Sequence, residues 1–216
     1  MAGVAGALIG AVIAAALWAG GVLDRSRAPV SVSAPASVQF VAAWRHHLLA
    51  SWSVDVVTTR SSGAATPVRV QVHEAQRPPD SIRIGGGAAA AIRGDRVLAC
   101  ATADDGNWVC RSAPSGADWA TRAANELAGI ARLVGGPTAP YTVSVAGPGC
   151  YELRLRSGVA SPTWGRRAAY CLDAGTGAVL RSEVDRGTVS DVAVTVSMHA
   201  PATDADLALP PGAVIR

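Results

Sequence analysis

The residue types in this chain best able to do chemistry are four cysteines, four histidines and a few paired carboxylates. Cys100, Cys110, Cys150 and Cys171 all follow an apolar N-terminal stretch, and no two stand in a Cys-x-x-Cys arrangement. An even count in that context reads as the disulfide framework of an exported domain. Cys100 and Cys110 flank the turn Asp104-Asp105-Gly106-Asn107 almost symmetrically, and Cys150 and Cys171 fall on neighbouring strand patterns. Of the possible pairings, this spacing favours Cys100 with Cys110 and Cys150 with Cys171. None of His46, His47, His73 and His199 has zinc-ligand spacing to a cysteine, and no Gly-x-Ser-x-Gly frame accompanies them. His46 and His47 read as the polar shoulder of a helix. Asp104/Asp105 and Asp204/Asp206 lack the spacing of a calcium loop and read as a turn and a solvated tail. The expectation is a domain with no metal, no cofactor and no catalytic residue.

The aromatic inventory points to a different chemistry. The chain has 6 Trp against 1 Phe. Ordinary core and rim packing accounts for such residues. The functional alternative is an apolar cavity lined by Trp44, Trp52, Val54, Val56, Val70, Val72, Ile82 and Ile84, with Leu127 and Ile130 from a covering helix. Small residues from Gly85 to Ala91 leave space where large ones would fill a core. Acyl chains need such a lining, because an unpaired donor buried there costs ~1–3 kcal/mol.

These residues need elements to position them. Val38, Val41, Trp44 and Leu48 recur at helical spacing after Ser37, a plausible N-cap, and predict a helix of about 14 residues. Trp52, Val54, Val56 and then Val68, Val70, Val72 alternate with polar neighbours as two half-buried strands. Short strands follow at 82–84, 88–92, 96–102 and 108–112. A second helix, capped by Asp118, carries Ala120, Ala123, Leu127, Ile130 and Val134 and stops at Gly135-Gly136-Pro137. Strand patterns resume over 141–146, 150–156, 167–173, 179–184 and 189–198. The fold class is α+β, one large antiparallel sheet with two helices, and no internal repeat is evident.

What precedes this domain sets its compartment. From Ala2 to Leu23 no side chain is charged. As a helix the stretch spans roughly 33 Å against a hydrocarbon core of ~30 Å. It is a signal segment or a transmembrane anchor, and its length favours the anchor. Arg25 and Arg27 follow it, on the side that the positive-inside rule holds in the cytoplasm, whereas the cysteines argue for export. Residues 24–36 read as a Ser/Pro/Ala tether, and 37–216 as the domain. The expected location is the cytoplasmic membrane, single-pass, with the domain outside the cytoplasm, or secretion if the segment is cleaved. All 19 basic residues are Arg, and the net charge is only +3, so no nucleic-acid partner is implied.

Three stretches carry a family resemblance: RPPDSIRI with the hairpins after it, YCLDAGTGAVLRSEVDRGTVSDVAVTVS, and the closing DADLALPPGA. They resemble the LolA/LolB/LppX-like lipoprotein-carrier superfamily, in particular its actinobacterial exported members, over residues 37–213. The chain departs from the LppX-type lipoproteins in having no Cys after the apolar run to take a lipid. The resemblance implies a strongly curved, unclosed β-barrel covered by helices, with an apolar cavity for a lipid or the acyl chains of a lipoprotein. The alternative is an envelope signalling domain similar to the RseB-type regulators, binding a protein partner on the same fold.

Overall fold

The computed structural model describes residues 34–156 and 164–216. The apolar segment 2–23 and most of the 24–36 tether lie outside the described residues. No helix among those described is long and apolar enough to cross a membrane. From Ala34 onward the chain forms one unit.

Helix α1 (Ala36–Leu49) opens it, with Pro35 rather than Ser37 as N-cap and no side-chain cap. The expected stripe is rotated: Val38 is 55% exposed, and Phe40, at 0%, is the anchor, with Leu48 two turns on. The strands are β1 (Trp52–Ser62), β2 (Val68–Arg77), β3 (Asp80–Gly85), β4 (Ala88–Arg93), β5 (Arg96–Thr102) and β6 (Trp108–Pro114). Helix α2 (Trp119–Val134) follows, its first turn capped by Asp118, which accepts from the Thr121 backbone N–H at 2.7 Å. Then come β7 (Tyr141–Gly147), β8 (Cys150–Leu155), β9 (Arg167–Leu172), β10 (Val179–Asp185), β11 (Val189–His199) and β12 (Val214–Ile215). All join one unclosed sheet in the order β12-β6-β5-β4-β3-β2-β1-β11-β10-β9-β8-β7. Every pairing is antiparallel except that of β12, which runs parallel to β6.

Register decides which face each side chain joins. Val54, Val56 and Thr58 of β1 lie opposite Glu74, Val72 and Val70 of β2, and Glu74 lies opposite Arg83 of β3. These residues share the face on which the helices lie. Ile82 and Ile84 pair with Ala75 and His73, so they stand on the opposite face. That corrects their expected place beside Val70 and Val72: a strand offset of one residue moves a side chain to the other side of the sheet.

The sheet buries different faces at its two ends. Over β7–β10 the core lies on the helix face, where Phe40, Ile130 and Val134 pack on Tyr141, Tyr151, Leu153, Ala168 and Tyr170. Over β2–β6 it lies on the opposite face, where Ile82, Ala89, Ala91, Leu98 and the Cys100–Cys110 pair meet Ala202 and Leu207. The segment 200–213 is therefore a strap over that face, not the solvated tail expected of Asp204 and Asp206. Both disulfides join directly paired residues, Cys100–Cys110 across β5/β6 and Cys150–Cys171 across β8/β9. They are the pairings favoured by the spacing.

Candidate functional site

The end of α1 is fixed before the cavity beneath it is shaped. Gln76, 6% exposed, donates to the carbonyls of His47 and Ala50 at 2.8 and 3.0 Å, satisfying acceptors that a helix C-terminus leaves open. Trp52 Nε1 donates to the same His47 carbonyl at 3.1 Å and its ring stacks on the His47 imidazole. His47 itself lies against the Gly177 carbonyl at 2.9 Å, and burial pushes its pKa down. It is thus a packed residue rather than a solvated shoulder. Gly177 has φ +73°, and a Cβ there would meet the His47 Cα at 3.0 Å, so only glycine lets this turn approach the helix.

Below this junction lies a cavity of about 480 Å³, lined by Trp44, Trp52, Val54 and Val56 at one end and by Arg60, Arg186 and Asp191 at the other. From Trp52 to Arg60 its β1 wall runs ~27 Å. Two chambers adjoin it. One of about 500 Å³ is walled by Val68, Val70, Val72, Gly85, Ala88 and Ala90. The other, about 460 Å³, lies between α2 and β2–β5. Arg83 lines all three.

The polar groups of the cavity are mostly paired. Asp191 takes Arg60 Nε at 2.7 Å and Arg186 Nη1 at 2.6 Å, and these bonds hold its carboxyl below the usual range. Arg83 pairs with Glu74, and Trp44 Nε1 donates to Glu126 at 2.9 Å. Burial pushes the Tyr170 hydroxyl up to about 12. The arrangement is a set of apolar walls with charges confined to one end and one seam.

The structure thus brings Trp44, Trp52, Val54 and Val56 together in one cavity and places Val70 and Val72 in the chamber beside it. Of the remaining four, Ile82 also lines the chamber under α2, and the other three lie outside these spaces. Ile82 packs in the core beneath the strap with Ile84 against it, Ile130 packs on Phe40 and Tyr141, and Leu127 lines a groove of about 750 Å³ on the outer side of the two helices. Arg60, Arg83, Arg186 and Asp191 were missed. Their signal was available: Arg60 follows Val56 and Thr58 in the same alternation.

On the opposite face a polar cluster pins the strap. Asp206 accepts from Ser53 Oγ at 3.1 Å, from the Thr203 N–H at 2.6 Å and lies 2.9 Å from His199 Nε2. Burial opposes its charge, but these bonds prevail and hold the carboxyl well below its usual range. Ser53 donates to the carboxylate and not to an imidazole, so Ser53, His199 and Asp206 do not form a nucleophile relay. Among the described residues no group of three His, Cys, Asp or Glu side chains is placed to hold a metal ion.

No family model matches the chain, and no curated protein matches it. Solved structures similar to it include a LolA superfamily protein from Nitrosomonas europaea, with TM-score 0.34 and 9% identity over 82% of this chain and 99% of that one. The Mycobacterium tuberculosis lipoprotein LppX is similar with TM-score 0.37 and 13% identity over 77% of this chain and 98% of that one. LprF from Mycobacterium bovis is similar with TM-score 0.36 and 11% identity over 77% and 94%.

Proposed function

We propose that this domain is a non-enzymatic binding module whose helix-side cavity takes the acyl chains of a lipid or an acylated lipoprotein. It works outside the cytoplasm, held at the membrane through residues 2–23 or released if that segment is cleaved. One observation carries the reading: the cavity of about 480 Å³ is walled at one end by Trp52, Val54 and Val56, with Arg60, Arg186 and Asp191 at the far end and the Glu74–Arg83 pair along its side. A lining with an apolar stretch and a charged end suits an amphiphile. The test is paired, using the full chain with thermal midpoint and retention of a fluorescent fatty-acid probe as readouts. Val56→Glu and Val70→Glu should stay folded and lose the probe. Leu153→Glu, in the filled core, should unfold, because a carboxylate desolvated there costs several kcal/mol. Unfolded Val56→Glu and Val70→Glu, together with a wild type that takes up no probe, would overturn the reading.

A second reading, docking of a protein partner, is favoured by the outer groove between α1 and α2, where Val38 and Leu49 are 55% and 51% exposed beside Leu127 and an alanine stripe. Val38→Glu would weaken such docking and leave probe retention unchanged.

A further inference from the structure

The chamber between α2 and the sheet holds a polar imbalance that acyl chains alone do not explain. Among the described residues, Trp119 Nε1 and Arg122 Nη2 are buried without a hydrogen-bond partner. Both residues line this chamber, together with Arg83 of β3. Arg122 is otherwise anchored, since its Nη1 donates to the Ala117 carbonyl at 2.9 Å and its guanidinium stands 5.4 Å from the Trp119 ring centroid. Both unpartnered groups are donors, and a buried donor left unpaired is unfavourable until an acceptor arrives.

The chamber alone is charge-balanced, Arg83 and Arg122 against Glu74 and Glu126; taken with the adjoining cavity, its charges tip positive. They are Arg60 from β1, Arg83 from β3, Arg122 from α2 and Arg186 from the β10–β11 turn, against Glu74 from β2, Glu126 from α2 and Asp191 from β11. Asp191 is shared by two guanidiniums, and Glu74 is taken by Arg83. The one positive charge in excess belongs to the Arg60/Arg186 end of the cavity, so in the chamber it is the unpartnered donors, not net charge, that call for an acceptor.

We propose that the ligand is an acidic amphiphile whose head, a carboxylate or phosphate, is taken up between α2 and β3 by Trp119, Arg122 and Arg83. Its tail runs from there past Trp52 to Val54 and Val56, where the chamber and the cavity share His47, Trp52, Glu74 and Arg83 as walls. This rests on the cavity reading above and adds the chemistry of the head. Charge-assisted bonds to Arg122 and Arg83 give discrimination against a neutral head, and the indole N–H adds direction.

The experiment compares two probes with the same fluorescent tail, a fatty acid and its methyl ester, on the full chain. The wild type should bind the acid about tenfold more tightly than the ester at low salt, with the gap narrowing as salt rises. Arg122→Gln should remove most of that gap and leave ester binding within about twofold. Trp119→Phe removes the N–H together with part of the indole ring, so it is read as a difference between the two probes: it should weaken acid binding while leaving ester binding within about twofold. Millimolar inorganic phosphate should not displace the acid; displacement would assign the donors to a small free anion and overturn the amphiphile. Equal binding of acid and ester by the wild type would overturn the acidic head alone, leaving the cavity. Uptake of neither probe would overturn both.

Discussion

Over β7–β10 the sheet is buried on the helix face by large rings, with Phe40 packed within 5.3–6.1 Å of Trp44, Tyr151, Trp164 and Tyr170 by ring centroid. Over β2–β5 the same face carries Val70, Gly85, Ala88 and Ala90, and no helix side chain fills the space above Val70 and Ala88. That half is held from behind, by the strap and the core around Leu98 and Cys110. A sheet that draws its stability from one face can leave the other hollow. The hollow half is thus a consequence of where the strap docks, and the cavity lies at the changeover, on β1. Trp52, Val54 and Val56 there form a small cluster of their own with Ala178.

The largest effect expected from this contrast is at Phe40. Truncation to Ala should cost ~3–5 kcal/mol of unfolding free energy, because the ring is fully buried among rigid aromatics that cannot collapse inward. Denaturant unfolding measures it, and a cost under ~1 kcal/mol would mean that the supposedly filled half has slack. A smaller and more pointed pair uses the same substitution on both sides of the divide. Ala168, 0% exposed in the filled half, should lose ~1–3 kcal/mol on replacement by Leu through overpacking. Ala90→Leu extends into open chamber and should change stability by less than ~0.5 kcal/mol while lowering probe uptake. Equal costs at both sites would erase the distinction.

Much of the framework was legible because it is written in local pattern. Alternation placed eleven strands, Asp118 announced its cap, and the symmetric flanks of the 104–107 turn gave the Cys100–Cys110 pair. Periodicity failed where two registers compete. The stripe through Val38 and the one through Phe40 both end on Trp44 or Leu48, and only tertiary packing chooses Phe40. The cavity was half legible for a related reason. Val70, Val72, Ile82 and Ile84 all alternate correctly, but pattern within a strand cannot say which face it shares with its neighbour, and the hairpin register puts Ile82 and Ile84 behind the wall. The strap was illegible because it has no periodicity. Its residues Ala202, Leu207 and Leu209 are read as core only once the sheet face they cover is known.

A further effect concerns what holds the hollow half from behind, and it turns on the charge state of His73. Its Nδ1 lies 3.0 Å from Asp55 Oδ1 and its Nε2 lies 2.9 Å from the Asp206 carbonyl. Both partners are acceptors, so both ring nitrogens must donate, and only the imidazolium does so. Burial works against that charge, but the bonds to Asp55 and Asp206 prevail and raise the pKa above its ordinary value. A raised histidine contributes stability in full below its unfolded value, near ~6.5, and loses it as pH rises through the folded value. Asp55 and Asp206 are both lowered, so their contributions hold above the ordinary carboxylate range and are lost only in stronger acid. Strap docking should therefore be firmest in mildly acidic solution and loosen above neutrality. Because Asp55 is half exposed, the loss should be no more than about 1 kcal/mol. Unfolding free energies at mildly acidic and mildly alkaline pH should differ by that amount in the wild type and converge in His73→Gln. Hydrogen exchange should place the loosening in residues 200–209 and β2–β5 while β7–β10 keep their protection. If the wild type and His73→Gln show the same pH slope, or if protection falls first around Phe40, the hollow half does not depend on the strap.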